Sequence, residues 1–514
     1  MAMNPTVVPN VNAPGAISAR PNVSYVRPEV DAVRDRWQLI NDCVAGQDAV
    51  KFRQDEYLPI PDADTGGTTT DARYQNYIMR AVFYNVTGRT LTGLVGQVFG
   101  RETIVEMPPE LEMIAEDVAG DGVSIEQQAK KALEYVLSLG RGGLLADFPT
   151  TTGAVTKAQQ DSGEVRPIIK LYRPENIINW RTKRVGAKVM LSLVVLVEGF
   201  DVEDDGFEAK TITAYRVLRL NEANQYIVQL YTEETEDGKS TITEQGELIT
   251  PKQANGKPFD FIPFTFMGPE NNDSTIDSAP LYAMANINVA HYRNSADYED
   301  SCFVSGQPTP YFSGLTEEWV TNVMKGKVYL GSRGGIMLPK GGLAGLLQAN
   351  PNSMPKEAME HKEHQMVALG AKLVEERTIR RTATEARQDE ASETSILSSS
   401  TKNVNSAYNQ ALLWAQMFVN GDGEIKFTLN SDFDLSNMTP AERQQLVAEW
   451  QAEAITWVEM RTALKRTRIA FVDDEEARDE IAENPPITIE PPVDGEDNPD
   501  DDNDPGLGGP APDE

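Results

Sequence analysis

Three histidines, two cysteines and several glycine clusters are the residues of this chain whose spacing could carry chemistry. His361 and His364 stand three apart in a helical stretch, with Glu360 and Glu363 beside them, a spacing that can hold a metal ion. The pattern is not His-Glu-x-x-His and no third ligand follows nearby, so a polar helix face fits better. His291, in His291-Tyr292-Arg293, reads as a packing or interface residue rather than a general base. Neither Cys43 nor Cys302 has a histidine partner in sequence, and there is no Gly-x-Ser-x-Gly elbow. Gly140-Arg141-Gly142-Gly143 follows a helix and precedes a strand. A phosphate loop needs the reverse order to aim a helix N-terminus at its ligand, so this run reads as a helix-stop turn. Gly331-Ser332-Arg333-Gly334-Gly335 and Gly341-Gly342 lack a following Gly-Lys-Ser/Thr and read as turns in a β insert. Carboxylates are so frequent that no pair stands out as an acid–base couple. These residues ask for no enzyme, no metal and no cofactor.

One basic stretch departs from the acidic background. Arg377, Arg380, Arg381 and Arg387 lie amid Thr378, Thr382 and Thr384, where helical periodicity fails. Such a loop could touch phosphates locally; a solvated surface loop is the other reading, and both stay open.

The elements around it form a long interrupted unit over 278–420. A helix (280–303) leads into a Gly/Pro-rich, strand-like insert (306–353), a second helix (355–376), the Arg/Thr-rich break (377–388) and a third helix (390–418). In the second helix Met359, Met366, Leu369 and Leu373 recur at seven-, three- and four-residue steps and form a narrow seam. A narrow seam suits packing in a ring or bundle; an ordinary core-facing helix is equally consistent with it.

The rest of the chain sets limits. Its 514 residues suffice for about three or four domain-sized units, or one elongated multidomain subunit. The formal charge of −32 opposes tight, non-specific binding to nucleic acid, which draws on Lys and Arg. It leaves room for a surface past which DNA slides without sticking. Two distant cysteines make no disulfide framework and suggest a reducing compartment. The N-terminus lacks the pattern of a signal peptide, and the apolar windows 191–197 and 81–99 fall short of a membrane span, so a soluble cytosolic product is expected.

Residues 1–28 read as an extended arm, 28–46 as a helix and 71–99 as one or two more. In 71–99, Arg73, Arg80 and Arg89 interleave with Tyr74, Tyr77, Phe83 and Tyr84, a mixture that fits a helix–helix interface better than nucleic acid. Ser124 and Gln127 form a capping box for a helix that Gly140 stops. A buried strand (143–148), a polar loop (150–164) and strands at 168–172, 189–198, 211–220, 226–231 and 261–267 follow, as in antiparallel meanders. Beyond the long unit come a strand (424–430), a helix (438–463) and a short helix (473–482). The Pro- and acid-rich tail cannot bury enough apolar surface to order itself. The fold class is α+β.

The order of parts resembles the portal proteins of tailed bacteriophages. The segments that carry the resemblance are Pro280-Leu281-Tyr282-Ala283 through Ala290-His291-Tyr292-Arg293-Asn294-Ser295-Ala296-Asp297-Tyr298, then Ser305-Gly306-Gln307-Pro308-Thr309-Pro310 and Thr382-Ala383-Thr384-Glu385-Ala386. Leu139-Gly140 running into Leu144-Leu145-Ala146-Asp147-Phe148-Pro149, and Glu175-Asn176-Ile177-Ile178-Asn179-Trp180, add to it. The resemblance implies an elongated multidomain subunit: N-terminal arm 1–28, α+β wing 29–278, stem helix 279–305, small α/β clip 306–353, stem helix 354–376, tunnel loop 377–389, long wing helix 390–420, helical crown 421–482 and acidic tail 483–514. It implies a homo-oligomeric ring, usually of twelve, at one capsid vertex of the virion, assembled in the host cytoplasm. Double-stranded DNA would pass through the ring, with a terminase motor, a head–tail adaptor and major capsid and scaffold proteins as partners and no membrane. Arg377, Arg380, Arg381 and Arg387 would face that DNA, and Leu281, Tyr292, Met359, Met366, Leu369 and Leu373 would pack the stem. Another virion or scaffold protein without a channel, or an acidic hydrolase, are the alternatives.

Overall fold

The computed structural model describes residues 22–61, 63, 66–149, 165–204, 206–207, 209–236, 239–307, 309–322, 338–347, 353–374, 395–419, 421–431, 433, 440–452, 454–466, 470, 472 and 474–483. The 150–164 loop, the arm up to residue 21, the whole 377–389 segment and the acidic tail from 484 lie outside the described residues. The chain divides into two compact units, Met1–Phe433 and Asp434–Glu514.

The first unit opens with helices α1 (Pro28–Ala45), α2 (Gln47–Phe52), α3 (Ala72–Arg80) and α4 (Val86–Val98). Pro28 in the first turn and Glu29 and Asp31 beside it suit the N-terminus of α1, and Val30, Trp37 and Ile40 give it one buried stripe. A short strand β1 (Ile104–Glu106), α5 (Glu112–Glu116) and α6 (Ile125–Leu139) follow. The capping box on α6 is present: Ser124 Oγ accepts from Gln127 N and Gln127 Oε1 accepts from Ser124 N, each at 3.2 Å. Gly140 ends the helix at φ 74°, in the left-handed region, and a Cβ there would lie 2.7 Å from the Asp277 carbonyl oxygen.

Strands β2 (Gly142–Asp147), β3 (Ile168–Tyr172) and β9 (Phe264–Met267) form an antiparallel sheet with β2 in the centre. Gly143 is required there, because a Cβ would lie 2.4 Å from the Phe264 ring. Between β3 and β9 in sequence runs a five-stranded antiparallel meander, β4 (Ile177–Val185), β5 (Lys188–Asp204), β6 (Ala209–Leu220), β7 (Tyr226–Glu236) and β8 (Lys239–Ile249), in that spatial order. Its inner face gives Trp180, Val194, Leu196, Leu218 and Tyr226 to the main core. Its outer face carries Ile178, Val195, Tyr215 and Val217, which Val23 covers.

Helix α7 (Tyr282–Gly306) then leads to β10 (Thr309–Ser313), α8 (Glu317–Asn322) and β11 (Leu343–Leu347), with β10 and β11 paired antiparallel. Helices α9 (Met354–Lys372) and α10 (Ile396–Val419) follow. The apolar stripe of α10, with Leu397, Val404, Tyr408, Leu412 and Phe418, is buried, and the helix packs on β2, β9 and α6. Strand β12 (Lys426–Thr428) pairs with β1 and belongs to this compact unit.

The second unit contains α11 (Pro440–Gln451), α12 (Trp457–Arg466) and α13 (Asp474–Glu483). The single helix expected over 438–463 is two. Thr456 restarts the chain as a cap: its Oγ1 accepts from Glu459 N at 3.2 Å while Glu459 Oε2 accepts from Thr456 N at 2.7 Å. The whole is α+β, and all strand pairs among the described residues are antiparallel.

Candidate functional site

The interrupted helical unit is built on α7 and α9. Lys362 Nζ donates to Asn294 Oδ1 at 2.7 Å, His291 Nε2 lies 3.2 Å from Glu363 Oε1, and Gly370 faces the Met284 side chain. One series rises as the other falls, so the helices run antiparallel. The 25 residues of α7 make a rod of about 37 Å.

The seam residues fall on the buried side. Met366 and Leu373 are buried, Leu369 is half-buried against the same core, and Met359, nearer the β insert, is half-buried. Leu281 and Tyr292 on the facing side are buried, and the Phe83 ring meets Tyr292 edge-on at 6.1 Å. This seam therefore packs within its own chain. The opposite side of α9 presents Val367, Lys356, Glu360 and His364 to solvent.

Polar contacts tie α7 to the N-terminal helices. Asn288, fully buried, accepts from Thr87 N at 3.1 Å and Thr87 Oγ1 at 2.9 Å, and its Nδ2 donates to the Tyr84 carbonyl at 2.8 Å. Ser295 Oγ accepts from Val82 N at 3.1 Å. Tyr77 donates to Asp297 at 2.5 Å, Arg80 pairs with Asp300 at 2.6 Å, and the Arg80 guanidinium sits 4.1 Å from the Phe303 ring centre. Burial, then the Asp297 carboxylate, pushes the Tyr77 phenol well above its ordinary range. Arg293 Nε donates to the Tyr57 carbonyl at 2.7 Å. The mixed basic and aromatic run at 71–99 is thus spent on a helix–helix interface, although Arg73 and Arg89 remain exposed.

Two of the three histidines have polar neighbours, and His364 is exposed. His361 Nε2 lies 3.0 Å from Gln365 Nε2, and His291 is buried beside Glu363. No group of three or more His, Cys, Asp or Glu among the described residues is placed to hold a metal ion. No helix among them is long and apolar enough to cross a membrane. Arg377, Arg380, Arg381 and Arg387 lie outside the described residues.

Sequence reading missed two charged features. Arg216 lies between Asp147 and Glu198, at 3.3 and 3.0 Å, on the wall of a cavity of about 680 Å³ that Lys170, Lys252 and Phe418 also line. Burial opposes the charge on Glu198, but the Arg216 charge and the Tyr172 hydroxyl outweigh it and lower its pKa. In the Gly140–Gly143 turn, Arg141 is buried between Trp180 and Phe266, 4.1 and 4.0 Å from their ring centres. Partners so remote in sequence leave no local signal.

Residues 280–419 match the family described as a domain of unknown function (DUF4055), a span that runs from the start of α7 to the end of α10 and covers just over a quarter of the chain. No curated protein matches. Among solved structures, a chain from the virion of a native gene transfer agent particle aligns at 13% identity and a TM-score of 0.37, over 78% of this chain and 94% of that one. A chain from the neck of the empty particle, computed with C6 symmetry, aligns at 13% identity and 0.37, over 78% and 97%. A chain from the neck of the native particle, computed with C12 symmetry, aligns at 15% identity and 0.37, over 78% and 97%. At that TM-score these alignments establish neither a common fold nor a common role.

Proposed function

We propose that this chain is the subunit of a portal ring, a virion protein at one capsid vertex through which double-stranded DNA is packaged and ejected. The observation that carries the reading is the antiparallel pair α7 and α9 joined through a small β insert. The segment that resembles portal proteins, 290–298, supplies the residues that lock α7 in place. The two-stranded β10–β11 sheet leaves Tyr311, Leu343, Leu346 and Leu347 exposed. Such a sheet is marginal alone, and ring assembly would cover that surface. The acidic charge suits a wall past which DNA moves. In this reading the chain is not an enzyme: a terminase motor hydrolyses ATP, while the head–tail adaptor and the capsid and scaffold proteins dock on the ring.

Negative-stain images of the purified chain test the reading. A ring with a central hole, twelvefold in the simplest case, supports it. Irregular or shell-like assemblies favour a virion or scaffold protein without a channel, and a compact monomer favours an acidic hydrolase. Arg380→Glu combined with Arg381→Glu should impair packaging or genome retention while rings still form. Unchanged packaging would remove those arginines from the DNA path.

A further inference from the structure

The five-stranded sheet is charged oppositely at its two free edges. At one edge, the β4–β5 hairpin carries Arg181, Lys183, Arg184 and Lys188, of which Arg181, Arg184 and Lys188 are exposed and Lys183 half-buried. Leu193 is the residue of β5 nearest the hairpin tip that pairs with β6, so the tip projects as a two-stranded ribbon beyond the sheet. Lys183 donates to Asn224 Oδ1. Among the described residues none of the four makes an ion pair. Glu222, in the neighbouring β6–β7 turn, makes none either.

At the other edge, Glu234 of β7 and Glu244 and Glu247 of β8 are exposed and form no ion pair among the described residues. Four inter-strand steps separate β4 from β8, a lateral distance of about 19 Å. That exceeds the screening length of about 8 Å at physiological salt, so the two edges cannot neutralise each other within one copy. Each of β4 and β8 has a strand neighbour on one side only. Arg27 covers the first half of the β4 edge, its N–H donating to the Ile178 carbonyl and its guanidinium to the Trp180 carbonyl. The half left uncovered is the cationic half.

We propose that the basic β4–β5 hairpin of one copy docks on the acidic β7–β8 edge of the next, a head-to-tail contact between copies of this chain. Charge complementarity selects a second copy as the occupant. With a charge of −32, like copies repel at contact unless their touching surfaces are opposed in sign, and this sheet presents both signs on surfaces that differ. A contact between two different patches is heterologous and closes into a ring when the rotation allows. The inference rests on the self-association in the portal reading and adds the surface that mediates it.

Two charge-reversed full-length chains test it. The first carries Arg181→Glu, Lys183→Glu, Arg184→Glu and Lys188→Glu; the second carries Glu234→Lys, Glu244→Lys and Glu247→Lys. Self-association is read by mass photometry and sedimentation at 0.1 M salt, with circular dichroism to verify folding. Each variant alone should associate at least about tenfold more weakly than the parent. Mixed one to one they should co-assemble, because each then meets the opposite sign at both edges; this also shows that neither variant is misfolded. Variants that assemble singly as the parent does, or folded variants that fail to co-assemble, overturn the inference and leave the portal reading standing. A first variant that assembles normally but no longer retains a DNA duplex overturns it in favour of a phosphate contact. A parent chain that stays monomeric at every concentration overturns the ring reading itself.

Discussion

Replacing Asn288 with leucine isolates the contact that fastens α7 to the N-terminal helices. The side chain is fully buried and branches at Cγ as leucine does, so the change is one of polarity with some added bulk. Three hydrogen bonds disappear: two accepted from Thr87 and one donated to the Tyr84 carbonyl. The Thr87 hydroxyl can turn to another acceptor and the Tyr84 carbonyl keeps the Val86 N–H at 2.8 Å, but the buried Thr87 N–H is left without a partner. That orphaned group costs about 1–3 kcal/mol, and the lost bond to the Tyr84 carbonyl about 0.5–1.5 kcal/mol more. The isobutyl group returns about 1 kcal/mol through apolar burial. The net expectation is a loss of about 0.5–3.5 kcal/mol. Urea unfolding followed by the fluorescence of Trp37 and Trp180, both buried in the same unit, measures it. Thr87→Val serves as the comparison, since it removes the hydroxyl alone and should cost about 1 kcal/mol. A loss below about 0.5 kcal/mol for Asn288→Leu would refute the view that this amide locks the helix.

Two further outcomes are expected. Gly140→Ala should lower stability by about 2–4 kcal/mol in the same unfolding assay, because alanine must enter the left-handed region and its Cβ must displace the 277–279 backbone. A cost near that of an exposed substitution would mean the turn has room. Thiol titration at pH 8 should modify Cys302, which is exposed, and spare Cys43, whose pKa burial pushes up to about 12. Both should react in denaturant, and equal reactivity in the folded chain would show that the α1–α7 interface is open.

Local signals were legible wherever one element sufficed to produce them. Ser124, Gln127 and Gly140 mark both ends of α6 without tertiary help, and the seven-, three- and four-residue steps of Met359, Met366, Leu369 and Leu373 mark the inward side of α9. What the seam packs against was not legible, because periodicity reports that a face is apolar and nothing about its partner. The strands β4 and β8 escaped notice for the opposite reason. As edge strands they carry Arg181, Lys183, Arg184, Glu244 and Glu247, which erase the apolar run that marked β2. The split between α11 and α12 had a readable signature in Thr456-x-x-Glu459 that a run of helix formers concealed. The Asn288 lock had only a faint one, a polar amide between Ile287 and Val289 in a helix interior.

The packing of α1 against α7 has a consequence for how the chain is born. Cys43 Sγ donates to the Ala285 carbonyl, and the α1 face around it is completed only when α7 arrives, some 240 residues later. At about 5–20 residues per second, the ribosome takes on the order of 12–50 s to cover that distance. Throughout that interval the apolar stripe of Val30, Trp37 and Ile40 lacks part of its cover, and a polysome carrying many such chains holds many such stripes close together. Nascent chains arrested before residue 280 should therefore recruit holding chaperones, and chains arrested far enough past residue 306 for α7 to clear the ribosome should release them. Equal chaperone occupancy at the two lengths would show that the N-terminal helices close on their own.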